Sequence, residues 1–338
     1  MNSSIQDRIV VVTGASAGVG RAIVAEFARH GAHLGLIARD KERLEAAKQE
    51  VEAVGSRALA LPADVANARE VEEAAERVER ELGPIDIWVN NAMATIFAPF
   101  TEITPEEFER VTQVTYLGQV YGTMAALKRM KPRDHGSIVQ IGSALAYRSI
   151  PLQSAYCGAK HGVVGFTDSI RSELIRDGSK VHITVVQLPA MNTPQFSWCR
   201  TRLPRHPQPV PPIFQPEVAA RAVVWAATHK RRGIYVGWPT VKAIYGQEIA
   251  PSYADRYLAE HGYDAQQTSE PVSPGRPDNL FQPVPGNYAA HGVFGKRARS
   301  FSLQNLFNLS PYRNVAIATG IAALAGMALI GRKGESLR

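Results

Sequence analysis

Between residues 8 and 236 the hydropathy pattern of this chain changes period again and again. Residues 8–13 (RIVVVT) form a short β-branched run that meets glycines, and residues 20–30 then place Ala22, Ile23, Phe27 and Ala28 on one helical face before Gly31. Strand-like runs return at 33–38, 57–62, 85–89, 137–141, 181–187 and 234–236. Helical spacing fills 41–54, 67–82, 105–130, 154–177 and 217–228 between them. Because the apolar runs are continuous through each strand, both faces need cover. This order predicts an α/β fold, a doubly wound parallel sheet.

Composition narrows the chemistry. A hydrophobic share of 45% supplies a core and argues against wholesale disorder. Cys157 and Cys199 are the only cysteines, which leaves neither a disulfide framework nor a CxxC zinc spacing. No metal is expected. The first residues, MNSSIQD, carry no basic stretch or cleavage signal, so a cytoplasmic catalytic domain is expected. The net charge of +7 is concentrated after Lys296, so the body is near neutral and a nucleic-acid footprint on it is not expected.

Two groups of residues carry chemistry. The loop from Thr13 to Gly20, TGASAGVG, lies between a strand and a helix, where glycines let backbone approach a pyrophosphate and the helix N-terminus favours its charge. Its spacing differs from GxGxxG, and a tight turn serving only packing is the alternative. Further along, Tyr156 and Lys160 share one helix face four residues apart, with Ser143 at a strand end before them. An ammonium beside a phenol favours the phenolate, which should lower the tyrosine from its usual value of about 10 and suit it to proton transfer. A Tyr and a Lys at this spacing also arise by chance.

Together these residues resemble the short-chain dehydrogenase/reductase family over roughly residues 7–239. Gly14, Gly18, Gly20, Asp64, the Asn90-Asn91-Ala92 run, Ser143, Tyr156, Lys160 and residues 189–193 fall in the family's order. The resemblance implies a Rossmann fold and hydride transfer between a nicotinamide cofactor and a carbonyl or secondary alcohol. It implies Tyr156 as general acid/base, Lys160 as its tuner and the holder of the ribose, and Ser143 as the group that orients the substrate oxygen. Gly14, Ser16, Gly18, Val19, Gly20, Asp64, Val65, Asn90, Ala92 and Thr193 would line the cofactor, with Tyr156 and Lys160. A homodimer through the helices at 105–130 and 154–177 is also implied.

Three positions depart from the family pattern. Thr115 stands where an asparagine is usual, and would replace an amide by one hydroxyl in a proton relay. Met93 and Ala190 stand where glycines usually follow Ala92 and Pro189. At the end of the second strand Ala38 replaces the carboxylate that would hold the 2′-hydroxyl of NAD, and Arg39 follows it. NADP(H) is therefore expected over NAD(H), although Arg39 paired with Asp40 on a solvated turn is the plainer reading.

The expected function is an NADP(H)-dependent oxidoreductase acting on an apolar carbonyl or alcohol. Its rival is a cofactor-binding scaffold or sensor without turnover, for which Thr115 speaks. The proline-rich stretch at 194–216 reads as a lid or binding loop, with Trp198 and Phe214 lining an apolar pocket or pinning the loop. Domain limits of 1–262 for the catalytic unit, 263–312 for a Pro/Gly-rich linker or extended wrap, and 313–338 for an apolar helix follow from composition. Residues 315–330 (VAIATGIAALAGMALI) carry no charge and lie between Arg313 and Arg332-Lys333. At 1.5 Å per residue they reach about 24 Å against a hydrocarbon core of roughly 30 Å, which reads as a membrane anchor or as a helix docked on protein.

Overall fold

Val10 and Val12 point into one hydrophobic cluster while Ile9 and Val11 point into another, as a strand covered on both faces requires. That strand, β1 (Ile9–Thr13), is central in a seven-stranded parallel sheet. The others are β2 (His33–Ala38), β3 (Ala58–Pro62), β4 (Ile87–Asn90), β5 (Ser137–Ser143), β6 (His182–Leu188) and β7 (Gly233–Tyr235). Their order across the sheet is β7-β6-β5-β4-β1-β2-β3, so the winding reverses between β1 and β4. Ligands bind at such a switch point, outside the carboxyl ends of the strands. The computed structural model describes residues 5–310.

Helices α1 (Gly18–Arg29), α2 (Lys41–Glu52) and α3 (Ala68–Glu81) follow the first three strands. Where one helix over 105–130 is expected, the chain makes α4 (Pro105–Thr112) and α5 (Gly118–Arg133), joined by a π-helical turn over Gln113–Leu117. The wider turn interrupts the regular spacing, and such turns cluster at functional sites. Helices α6 (Ser154–Arg176) and α7 (Pro216–Thr228) complete the layers.

Past the sheet the chain forms α8 (Trp238–Ile249) and α9 (Pro251–Ala265), then returns over the body. Gln267–Pro271 pairs antiparallel with Arg205–Pro207, and Ala298–Arg299 pairs parallel with Ile213–Phe214. Leu280, Val284 and Phe294 are buried by this return, so the stretch acts as an extended wrap. It closes in α10 (Leu303–Leu309), tied to the body by Asn305 Nδ2 donating to Val218 O and Asn308 Nδ2 donating to Tyr235 O. The apolar run at 315–330 lies outside the described residues. Among the described residues no helix is long and apolar enough to cross a membrane, and no group of His, Cys, Asp or Glu could hold a metal ion.

Candidate active site

The loop between β1 and α1 is as tight as its glycines allow. A Cβ on Gly20 would stand 2.0 Å from Gly14 O and 2.5 Å from Asn91 Nδ2, so no other residue fits there. Asn91 holds the loop from the neighbouring strand end, with Nδ2 donating to Thr13 O at 2.9 Å and Gly14 O at 3.3 Å. The loop opens on a cleft of about 530 Å³ that Gly14, Ser16, Gly18, Val19, Gly20, Arg39, Asp64, Val65, Ala92, Ser143, Tyr156, Lys160 and Thr193 all line.

Asn90 lies beneath that cleft and is fully buried. Its Oδ1 accepts from Trp88 Nε1 at 2.7 Å, while Nδ2 donates to Gln119 O, Thr123 Oγ1 and Gln140 Oε1. The side chain therefore ties β4 to α5 and β5 and acts on the cleft through the strand end it steadies.

Ser143 ends β5, and its hydroxyl lies beside the Tyr156 phenol of α6, close enough to act on its pKa. Burial lifts the Tyr156 phenol above its ordinary value, and Ser143 pulls the other way. Lys160 Nζ stands 5.7 Å from the centre of the Tyr156 ring and donates to Ile141 O at 2.6 Å. Burial pushes this lysine down to about 7. The phenol is thus raised where a neighbouring ammonium is expected to lower it, because removal from water outweighs the lowering effect of Ser143.

Thr115 sits in the π-helical turn, buried, with its hydroxyl donating to Ala94 O at 2.7 Å and accepting from Ala94 N at 2.9 Å. Its single proton is committed to main chain. Met93 lines the cleft beside Ala92, as does Ala190 opposite. Trp198 lines the cleft too, whereas Phe214 packs into the core next to the sheet.

Arg39 faces the cleft from the end of β2, yet its guanidinium is already surrounded. It donates to Asn279 O at 2.5 Å, Phe281 O at 2.7 Å and Leu280 O at 3.5 Å. Burial, then the nearby Arg110, lower its pKa from the ordinary arginine value, with Asp64 acting oppositely. Asp40 pairs with Arg43 instead, at 2.9 Å, and also caps α2. Asp64 Oδ2 accepts from Arg110 at 2.5 Å.

A family model described as short chain dehydrogenase matches residues 8–201. The chain belongs to the short-chain dehydrogenase family. As a member it is an oxidoreductase with a Rossmann fold. The uncharacterized oxidoreductase YxnA of Bacillus subtilis is 29% identical over 95% of this chain and 90% of that protein. A 3-dehydrosphinganine reductase of Danio rerio is 32% identical over 64% of this chain and 67% of its own. A metagenomic short-chain oxidoreductase solved in complex with NADP superposes with a TM-score of 0.59 and 26% identity, covering 69% of this chain and 98% of that one.

Several parts of this short-chain dehydrogenase cleft were not singled out from the sequence. Asn91 was named only as part of the Asn90-Asn91-Ala92 run, and its grip on main chain gave it no role there. Gln153 was not named at all: it is buried in the cleft wall, where its Nε2 donates to Gln266 Oε1 at 2.8 Å. Leu258 and His261 of α9, and Asn279 and Pro283 of the wrap, complete the lining. A dinucleotide fits what is present: the close Gly14–Gly20 approach brings backbone to the cleft surface where a pyrophosphate needs it, and Ser143, Tyr156 and Lys160 lie in the same cleft.

Proposed function

We propose that this protein interconverts a ketone or aldehyde and its alcohol on an apolar molecule, using NADP(H). The meeting of Ser143, Tyr156 and Lys160 in one cleft with the glycine loop carries this reading. The nicotinamide, when bound, would supply or accept the hydride at carbon. In the reductive direction Tyr156 Oη gives its proton to the carbonyl oxygen, and in the oxidative direction the phenolate takes it back. Ser143 Oγ holds that oxygen in line. Lys160, buried beneath the tyrosine, steadies the phenolate and faces the ribose.

Choice of NADP(H) is supported by Arg39 just after β2 and Arg43 in the first turn of α2, with Ala38 in place of an acid. An apolar substrate is supported by Phe97, Met191, Phe196, Val210 and Leu258 in the cleft wall. Similarity to the 3-dehydrosphinganine reductase and to a fatty acyl-CoA reductase of Acinetobacter baylyi, 28% identical over 68% of this chain and 76% of that protein, points the same way. Thr115 takes a positioning role in this scheme, holding Ala94 beyond the cofactor strand. A homodimer through the helices at 105–130 (α4 and α5) and 154–177 (α6) and a membrane anchor at 315–330 complete the proposal. A panel of long-chain ketones, aldehydes and alcohols, followed by NADPH absorbance, tests it. Oxidation of NADPH by an apolar carbonyl is expected, and inertness toward the whole panel with bound NADPH favours the scaffold reading.

A further inference from the structure

The return of the chain between residues 276 and 294 crosses the mouth of the cleft and is fastened on both sides of it. At one end Arg276 donates to three carbonyls of the substrate-side loop, Phe196 O, Ser197 O and Cys199 O, at 2.9 to 3.0 Å. Asn279 N then donates to Trp198 O at 2.9 Å. On the cofactor side Arg39 grips the carbonyls of Asn279, Leu280 and Phe281, and Arg43 donates to Val284 O at 3.0 Å. The guanidinium of Arg43 also lies 5.0 Å from the Trp198 ring centre and 5.7 Å from that of Tyr288.

The far end reaches the phosphate loop itself. Gly18 N, at the first position of α1, donates to Ala289 O at 3.0 Å. Gly292 N donates to Asn192 O, and Phe294 N to Asn192 Oδ1 at 3.0 Å. The passage is close: a Cβ on Gly292 would stand 2.4 Å from Thr193 O, which is main chain and cannot swing aside. Asn279 and Pro283 meanwhile face inward and line the cleft.

We propose that residues 276–294 are a strap that forms the outer wall of the cofactor cleft, supplies Asn279 and Pro283 to the cofactor site, and must detach for the dinucleotide to exchange. The proposal rests on the cleft's being a dinucleotide site. Most of the fastenings are main-chain carbonyls bound by arginines, so loss of one arginine removes several of them at once. Charge-assisted hydrogen bonds are the stronger kind, and losing those of Arg276 is expected to free one end.

The test follows release of NADPH and NADH from the full chain by stopped-flow fluorescence. Arg276→Ala and Gly292→Val are compared with wild type after their melting temperatures confirm that they fold. Release about 10-fold faster in both variants is the expected result, a change equal to about 1.4 kcal/mol. Release at the wild-type rate overturns the strap and leaves the dinucleotide reading intact. A wild-type protein that binds neither dinucleotide overturns both. Hydrogen exchange of wild type stands beside this, with amides in 276–294 expected to slow when NADPH binds. Should neither variant fold, unchanged exchange there overturns the strap.

Discussion

Thr115 and Ala94 hold each other twice, the threonine hydroxyl donating to Ala94 O at 2.7 Å and accepting from Ala94 N at 2.9 Å. Both groups are buried, so Thr115→Val strands a main-chain donor and acceptor together. An unsatisfied buried polar group costs about 1–3 kcal/mol, and the melting temperature should fall by several degrees. Thr115→Ser keeps the hydroxyl and should recover most of that loss. A proton-relay role for Thr115 makes a different forecast: loss of kcat in the valine variant with stability unchanged.

Tyr156→Phe removes the proton donor and leaves the glycine loop untouched. Turnover should fall by about 10²- to 10⁴-fold while NADPH affinity holds. The pH profile follows from the same residue. Because burial raises the phenol, reduction should stay level through about pH 6 to 8, and alcohol oxidation should keep rising beyond pH 9 as phenolate forms. An oxidation rate that levels off below pH 8 would place the working group elsewhere.

Lys160 carries a pH-dependent stability. Its folded value of about 7 lies below the usual lysine value of about 10.4, so between the two the unfolded state binds more protons and stability rises with pH. Below about pH 7 the fold must bury an ammonium. In the protein without cofactor, Lys160→Met should therefore raise the melting temperature more at pH 6 than at pH 9. Equal shifts at the two pH values would show that burial does not suppress the charge.

Arg39→Ala should weaken NADPH binding by about 10- to 100-fold, the loss expected for an arginine–phosphate contact. The side chain also holds the wrap, so NADH binding will shift as well. The ratio of the two affinities, measured by titration, is the readout. A ratio equal to wild type would leave Arg39 as a fastening of the wrap alone.

Sheet, crossovers and the Ser143, Tyr156 and Lys160 cluster were legible because their signals are side-chain patterns: continuous apolar runs, glycines at close approaches and polar groups at strand ends. Each strand of the seven-stranded sheet was located to within two residues of its observed limits. The wrap was read only as linker or wrap, since Arg39, Arg43 and Arg276 bind it through carbonyls that every residue possesses. The break between α4 and α5 escaped for a related reason. One extra residue in a turn alters the hydrogen-bond pattern without changing how apolar the segment is.

The tail gives the last prediction. Ending the chain after Gln266 would strip Leu280, Val284 and Phe294 from the core along with two residues of the cleft wall, so a body complete by that point is not what the packing shows. Ending it after Ser310 keeps α10 and its ties to Val218 O and Tyr235 O. That shorter chain should fold and bind NADPH as the full chain does. Residues 315–330 hold sixteen uncharged residues between Arg313 and Arg332-Lys333, and α10 before them exposes Leu303, Leu306 and Phe307. Basic residues on both flanks favour anionic lipid surfaces. The full chain is expected to sediment with vesicles containing anionic lipid and to resist extraction by salt, whereas the chain ending at Ser310 stays in the supernatant. If both partition alike, the apolar run has no part in membrane binding and docking on protein becomes its reading.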